Sequence, residues 1–198
     1  MVLVELLVGV VTGVISQVGY VGIFLLMLLE SALIPVPSEV IMPFSGFLVA
    51  SGELNLYYVI AAGTLGNLAG SLIAYFLGSF LGRRLVLRYG RYILIDESHL
   101  DLADKWFRKF GSKIIFLSRN LPAVRTYISL PAGITKMNPL KFSFFTLFGS
   151  LPWNIILTYI GVILGRNWNA ILRYTTFLDI AVIAGVIVLI AWYLRKRI

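Results

Sequence analysis

The sequence predicts an all-α polytopic membrane protein with two inverted repeats, followed by a C-terminal transmembrane helix. Of its 198 residues, 59% are hydrophobic and only 13% are charged, whereas a soluble domain is roughly 45–50% apolar and about 25% charged. Long stretches carry no charge, and two further apolar stretches are interrupted by proline and charge. We therefore expect one membrane domain over 1–198, and not a soluble enzyme, a disordered regulator or a secreted scaffold.

The residue types exclude several kinds of chemistry. The chain has no cysteine, and His99 is its only histidine. A disulfide framework, an iron–sulfur site and a Cys–His zinc site are therefore excluded, and we expect no metal, cofactor or catalytic residue. The net charge of +8 is attributed to cytoplasmic loops, not to nucleic-acid binding.

The predicted elements follow from chain length and patterning, because a spanning helix needs about 20 mostly apolar residues. Residues 2–17 form an amphipathic helix or half of a long first span, with a break near 19–22. The remaining predicted elements are a re-entrant hairpin at 20–51, a transmembrane helix at 57–82, an interfacial helix at 98–110, a second re-entrant hairpin at 112–137, and transmembrane helices at 140–165 and 177–195.

Proline and charge in the middle of the two hairpins argue against simple spans. Pro35 and Pro37 interrupt the first hairpin, and Pro122 interrupts the second. Broken backbone at membrane depth is tolerated where it is buried in protein or lines a cavity. We therefore expect each stretch to enter and leave the bilayer by the same face.

The distribution of basic residues predicts the orientation. Loop 83–113 and the tail at 195–197 are both rich in Lys and Arg, and the positive-inside rule places such segments in the cytoplasm. If 112–137 is re-entrant, two crossings separate these segments and both lie inside. If 112–137 crossed the membrane fully, three crossings would place the tail outside. We therefore predict a multi-pass protein of the cytoplasmic membrane with Ile198 in the cytoplasm.

An internal repeat is visible at fixed offsets. An offset of 83 residues aligns Gly66, Gly78 and Arg83 with Gly149, Gly161 and Arg166. An offset of 92 aligns Gly19 and Phe24 with Gly111 and Phe116. Because one span runs outward and the other inward, the repeats are inverted, as in many secondary transporters. The first span also carries a small residue at every fourth position, which predicts close helix packing: Ala62, Gly66, Gly70, Ala74, Gly78 and Gly82.

Four ionisable residues lie near the hairpin breaks, namely Glu30, Glu39, Arg119 and Arg125. A charge at the bilayer centre costs about 2.5–3.5 kcal/mol, so these residues must pair or face water. They either staple the two hairpin tips together or form an anion site, since arginine binds phosphate through two parallel hydrogen bonds. In the second interpretation Thr126 lies beside the bound phosphate.

Three polar residues of the predicted spans are candidates for lining the cavity. They are Asn67, Ser71 and Asn154. Hydrogen bonding between helices is the alternative interpretation of each.

The motif Arg119-x-x-Pro122-x-x-Arg125-Thr126, read with LLESALIPVPSEVIMPFSGFL, resembles the DedA family, also called the VTT or SNARE-associated Golgi family. The resemblance extends from about Gly19 to Arg166. It implies lipid transporters or scramblases with two opposed re-entrant hairpins and essential membrane charges at Glu30, Arg119 and Arg125. It also implies return of undecaprenyl phosphate to the inner leaflet, driven by the proton-motive force. Many bacterial members carry Pro-Gly-Asp where this chain has Pro-Ser-Glu39, which leaves the lipid open.

These observations predict a flippase for a polyprenyl phosphate, with the phosphate bound by Arg119, Arg125 and Thr126 and with Glu30 and Glu39 coupling transport to protons. The expected partners are the lipid phosphate, the bilayer and protons. A homo-oligomer is left open. The alternatives are a passive phospholipid scramblase, a membrane phosphatase and a structural membrane protein.

Overall fold

The structure is a computed structural model, which describes residues 2–34, 36–90, 101, 105–107, 109–120 and 122–165. This part of the chain is helical and contains no strand. Helices over Leu56–Arg83 and Pro139–Gly165 are long and apolar enough to cross a membrane, judged by length and composition. The predicted span at 177–195 and most of the predicted interfacial helix at 98–110 lie outside the described residues.

Short helices occupy both predicted hairpins, and long helices follow them. In chain order the helices are α1 (Val2–Val18), α2 (Tyr20–Ser31), α3 (Ser38–Ala50), α4 (Leu56–Gly90), α5 (Lys113–Ser118), α6 (Pro122–Tyr127), α7 (Ser129–Ile134) and α8 (Pro139–Gly165). The stretch at 112–137 contains three helices where two arms were expected. Pro131 has no N–H to donate to the carbonyl of Tyr127, and α6 and α7 meet between these residues. Ile128 at this junction keeps helical angles, so the second arm is α6 followed by α7.

Local residue chemistry explains where the helices begin and end. Gly19 separates α1 from α2 with a φ of 60°, which glycine adopts without steric cost, so the predicted break is confirmed. Asn138 accepts hydrogen bonds from the backbone N–H groups of Leu140 (3.0 Å) and Lys141 (3.2 Å), which caps α8 immediately before Pro139. Gly82, with φ 64° and ψ 176°, kinks α4 where the predicted span ends.

Glycines bring the helices into close contact. The hairpin helix α2 packs along α4, and α3 packs along α8. A Cβ atom added to Gly66 would lie 2.5 Å from the carbonyl oxygen of Phe24, and one on Gly70 would lie 2.1 Å from that of Leu28. The small-residue ridge of α4 is therefore a helix-packing surface at Gly66 and Gly70, as predicted, whereas nothing lies within 4 Å of a Cβ atom added to Gly82.

Equivalent contacts recur at the offsets of the sequence repeat. Gly66 of α4 meets Phe24 in the first arm, and Gly149 of α8 meets Phe116 in the second hairpin. Thus α2 packs on α4, and α5 packs on α8.

The helices α7 and α3 each pack mainly on the other long helix, and not on the one that directly follows them. Gly78 of α4 meets the backbone of Leu130 in α7, whereas Gly161 of α8 meets the backbone of Pro43 in α3. Each long helix therefore contacts helices from both of the predicted hairpins.

Candidate functional site

The four predicted membrane charges lie at helix ends. Glu30 is in the last turn of α2, and Glu39 is in the first turn of α3. Arg119 directly follows α5, and Arg125 lies in α6. Three of these residues, Glu30, Arg119 and Arg125, line one cavity, and Glu39 contacts Arg125.

Arg125 joins the two predicted hairpins through charged and polar contacts. Its Nη2 lies 3.0 Å from Glu30 Oε1 and 2.9 Å from Glu39 Oε1, and it donates a hydrogen bond to Ser38 Oγ at 2.5 Å. The side chains of Arg125 and Glu30 are buried, at 9% and 8% exposure, while that of Glu39 is 46% exposed. One guanidinium therefore faces two carboxylates of very different accessibility.

Arg119 is held by neutral groups. Its Nη1 donates to the backbone carbonyl of Arg125 at 3.1 Å, and its Nη2 donates to Ser129 Oγ at 2.9 Å and Thr146 Oγ1 at 3.3 Å. Only 3% of the residue is exposed, and within the described ranges it has no ion-pair partner. The Phe142 ring lies 5.9 Å from its guanidinium carbon. These contacts fix the backbone that carries Arg125.

A chain of amide hydrogen bonds fixes Glu30. Its Oε2 accepts from Asn67 Nδ2 at 3.1 Å and from Ser31 Oγ at 3.2 Å. Asn154 Nδ2 donates to Asn67 Oδ1 at 3.0 Å and to Thr64 Oγ1 at 3.1 Å. The chain links α2, α4 and α8 and holds the carboxylate in one orientation.

A cavity of about 10 Å³ lies among these side chains, which is room for about one water molecule. Its lining residues are Glu30, Ser31, Asn67, Arg119, Arg125, Thr126, Ser150 and Trp153. A phosphate group needs more space, so it can enter only if the lining side chains move. Of the three polar span residues, Asn67 lines the cavity, whereas Ser71 and Asn154 are buried outside its lining.

The structure thus brings Glu30, Glu39 and Arg125 into contact and places Arg119 next to them. Pro37 directly precedes α3 and Pro122 begins α6, while Pro35 lies outside the described residues.

Sequence reasoning missed four polar partners: Ser38, Ser129, Thr146 and Trp153. Buried hydroxyls give little sequence signal. Trp153, however, lies in the middle of a predicted span, away from the interfacial positions that tryptophan prefers, and that position was an available clue.

Comparison with known proteins identifies the family. The model of the VTT domain matches residues 36–163. The chain is 33% identical to undecaprenyl phosphate transporter A of Bacillus subtilis over 187 residues, covering 92% of this chain and 91% of the relative. It is 37% identical to an alkaline phosphatase-like protein of Lactococcus lactis, covering 95% and 92%. It is 26% identical to Protein DedA of Escherichia coli, covering 86% and 82%. No solved structure matches.

The fold and these similarities define a helical membrane protein with a VTT domain. Within that class, the chain belongs to the DedA family. The family resemblance seen in the sequence is therefore confirmed.

Proposed function

We propose that this protein is a lipid transporter that moves a polyprenyl phosphate, such as undecaprenyl phosphate, between the leaflets of the cytoplasmic membrane. The observation that carries the proposal is the set of contacts made by the buried Arg125. Two carboxylates and a hydroxyl lie within hydrogen-bonding distance of its guanidinium, and phosphate oxygens bind a guanidinium at similar distances. The relative named undecaprenyl phosphate transporter A, which aligns over nearly the whole chain, supports the same substrate class.

In this proposal the lipid phosphate replaces Glu39 at Arg125. Glu39 is the more exposed carboxylate, and Ser38 and Arg125 are its hydrogen-bond partners in the described part of the chain. Glu30 is buried and fixed by Asn67 and Ser31, so it stays in place. The small cavity beside Arg125 must also be enlarged before a phosphate can enter it.

Proton coupling follows from the charge of the substrate. A phosphate monoester carries about −1.5 to −2 charges at pH 7, and moving it inward opposes an inside-negative potential by about 2.3 kcal/mol per charge per 100 mV. In the proposed exchange Glu39 gives up its ion pair with Arg125 to the phosphate. Glu39, with Glu30 as its neighbour, then carries protons inward with the phosphate and offsets this cost.

The proposed topology places both hairpins as re-entrant elements of two inverted repeats. The recurring glycine contacts of α4 and α8 support this arrangement. Single cysteines introduced at the exposed positions Lys113 and Lys136 test it, because the chain has no cysteine of its own. Both should be labelled from the cytoplasmic side, together with Ile198. Labelling of the two lysine positions from opposite faces would show that 112–137 crosses the membrane.

Reconstitution tests the function. The purified protein in liposomes should move polyprenyl phosphate and should move it faster under an inward proton gradient. Equal rates for ordinary phospholipids, without any response to the gradient, would indicate a passive scramblase instead. Release of inorganic phosphate would indicate a phosphatase, the activity suggested by the name of the Lactococcus lactis relative. Arg125→Lys at equal density is the matched control, because it keeps the charge and removes the planar fork.

A further inference from the structure

We infer that Trp153 is a third hydrogen-bond donor to the lipid phosphate, and that its N–H makes the site select a phosphate monoester over a phosphate diester. The inference rests on the proposed function and specifies the head group that the site recognises.

Trp153 lies in α8 and lines the same small cavity as both arginines. The guanidinium carbon of Arg125 is 5.0 Å from the centre of its ring, which is a cation–π contact. The indole therefore lies against the arginine that holds Glu30 and Glu39.

Three residues that line the cavity each have a hydrogen-bond donor without an acceptor among the described residues. The buried Nε1 of Trp153 and the buried Nε atoms of Arg119 and Arg125 have no partner among the described residues. An indole N–H and a guanidinium Nε–H are donors only, so no rearrangement of protons turns them into acceptors. Buried donors without acceptors are rare in folded proteins, and they call for an explanation.

A phosphate monoester fits this set of donors. It presents three terminal oxygens, all of them strong acceptors, to three N–H groups. A phosphate diester keeps two terminal oxygens and carries an ester group in place of the third. One donor would then face the ester oxygen, which is a weaker acceptor and carries a carbon substituent.

The alternative is that Trp153 only packs beneath Arg125. Trp153→Phe separates the two roles, because phenylalanine keeps an aromatic face for the guanidinium and removes the N–H. Trp106→Phe is the matched control, since Trp106 packs in a different hydrophobic cluster and does not line the cavity.

The experiment compares polyprenyl phosphate with its monomethyl ester, which has the same tail and is a diester. In liposomes, Trp153→Phe should weaken apparent affinity for the monoester about tenfold, as expected for losing one hydrogen bond to a charged group, and should change the methyl ester by less than about threefold. Trp106→Phe should leave both values unchanged. An equal loss for both lipids, or no loss for either, would overturn the role of Trp153.

Tryptophan fluorescence provides a readout that keeps Trp153 intact. A protein with Trp106, Trp168 and Trp192 all changed to Phe retains a single tryptophan. Its emission should shift on titration with the monoester and not with the methyl ester. If this protein responds equally to both lipids, the inference fails while the proposed transport stands. If the parent protein binds and moves neither lipid, the proposed function itself fails.

Discussion

Arg119 and Arg125 lie six positions apart and line the same cavity, yet their surroundings differ. Arg125 contacts two carboxylates, one of which is half exposed. Arg119 contacts a carbonyl and two hydroxyls, and all three are neutral and buried. Two residues of the same type are therefore held by different kinds of interaction.

This difference assigns them different tasks. An ion pair with an exposed carboxylate can be exchanged for another anion, whereas a buried guanidinium bonded to three neutral groups has no anion to exchange. Arg119 donates to the carbonyl of Arg125 and so holds that residue in position. We therefore expect Arg119 to act mainly through the fold by way of its two Nη groups, with only its Nε–H left for a phosphate, and Arg125 to act mainly through the substrate.

Loss of Arg119 should produce the largest effect. Arg119→Ala removes hydrogen bonds to α6, α7 and α8 and should lower the free energy of unfolding by about 3–5 kcal/mol, as for other disruptions of buried polar networks. Thermal unfolding in detergent measures this. Arg119→Ala protein as stable as the parent would remove the distinction between the two arginines.

Arg125→Lys should leave folding intact and abolish most transport. Lysine keeps the positive charge that Glu30 and Glu39 require, but it lacks the planar fork that binds phosphate through two oxygens. We expect at least about a 100-fold loss of transport rate, equivalent to roughly 2.7 kcal/mol. Uptake in liposomes at matched protein density provides the measurement. Near-normal uptake would mean that these charged residues only hold the two predicted hairpins together and do not bind phosphate.

The two carboxylates should differ in their contribution to stability. Glu30→Gln removes a buried charge partner of Arg125 and should cost about 2–3 kcal/mol, less than a fully broken buried pair because Glu39 remains. Glu39→Gln changes a half-exposed side chain and should cost less than about 1 kcal/mol. Thermal unfolding of the two variants side by side checks the order. A larger loss for Glu39→Gln would reverse the assignment of fixed and exchangeable carboxylates.

Glu39 should be required for proton coupling but not for binding of the lipid phosphate. Glu39→Gln mimics the protonated side chain, so it should bind lipid phosphate while its transport no longer responds to an imposed gradient. Glu39→Asp should keep part of the response. Proteoliposomes with and without an inward proton gradient measure the ratio of rates. If Glu39→Gln and Glu30→Gln both accelerate as the parent does, neither residue carries the proton.

The sequence predicted the elements of the fold because its signals are local. Gly19 and Asn138 mark helix boundaries through backbone angles and capping, and the break at Gly19 lies where expected. The ridge of small residues predicted close packing of α4. The helix α4 packs on α2 at Gly66 and on α7 at Gly78. This change of neighbour depends on how distant helices cross, which no local sequence pattern encodes.

The sequence predicted which charged residues form the site, but not which carboxylate pairs with which arginine. The cost of charge within a membrane predicts that Glu30, Glu39, Arg119 and Arg125 lie near one another. Both carboxylates pair with Arg125, because Arg119 is turned towards hydroxyls of α7 and α8. Serine and threonine at those positions look like ordinary helix residues in the sequence.

The central claim is that lipid phosphate takes the place of Glu39 at Arg125, and the dissociation constant of polyprenyl phosphate tests it most directly. Glu39→Gln removes the charge that competes with the lipid, so it should bind about tenfold more tightly than the parent, a difference of about 1.4 kcal/mol. Glu39→Asp keeps a competing carboxylate and should bind nearly as the parent does. Equal or weaker binding by Glu39→Gln would contradict the exchange, because it would show that Glu39 does not compete with the phosphate.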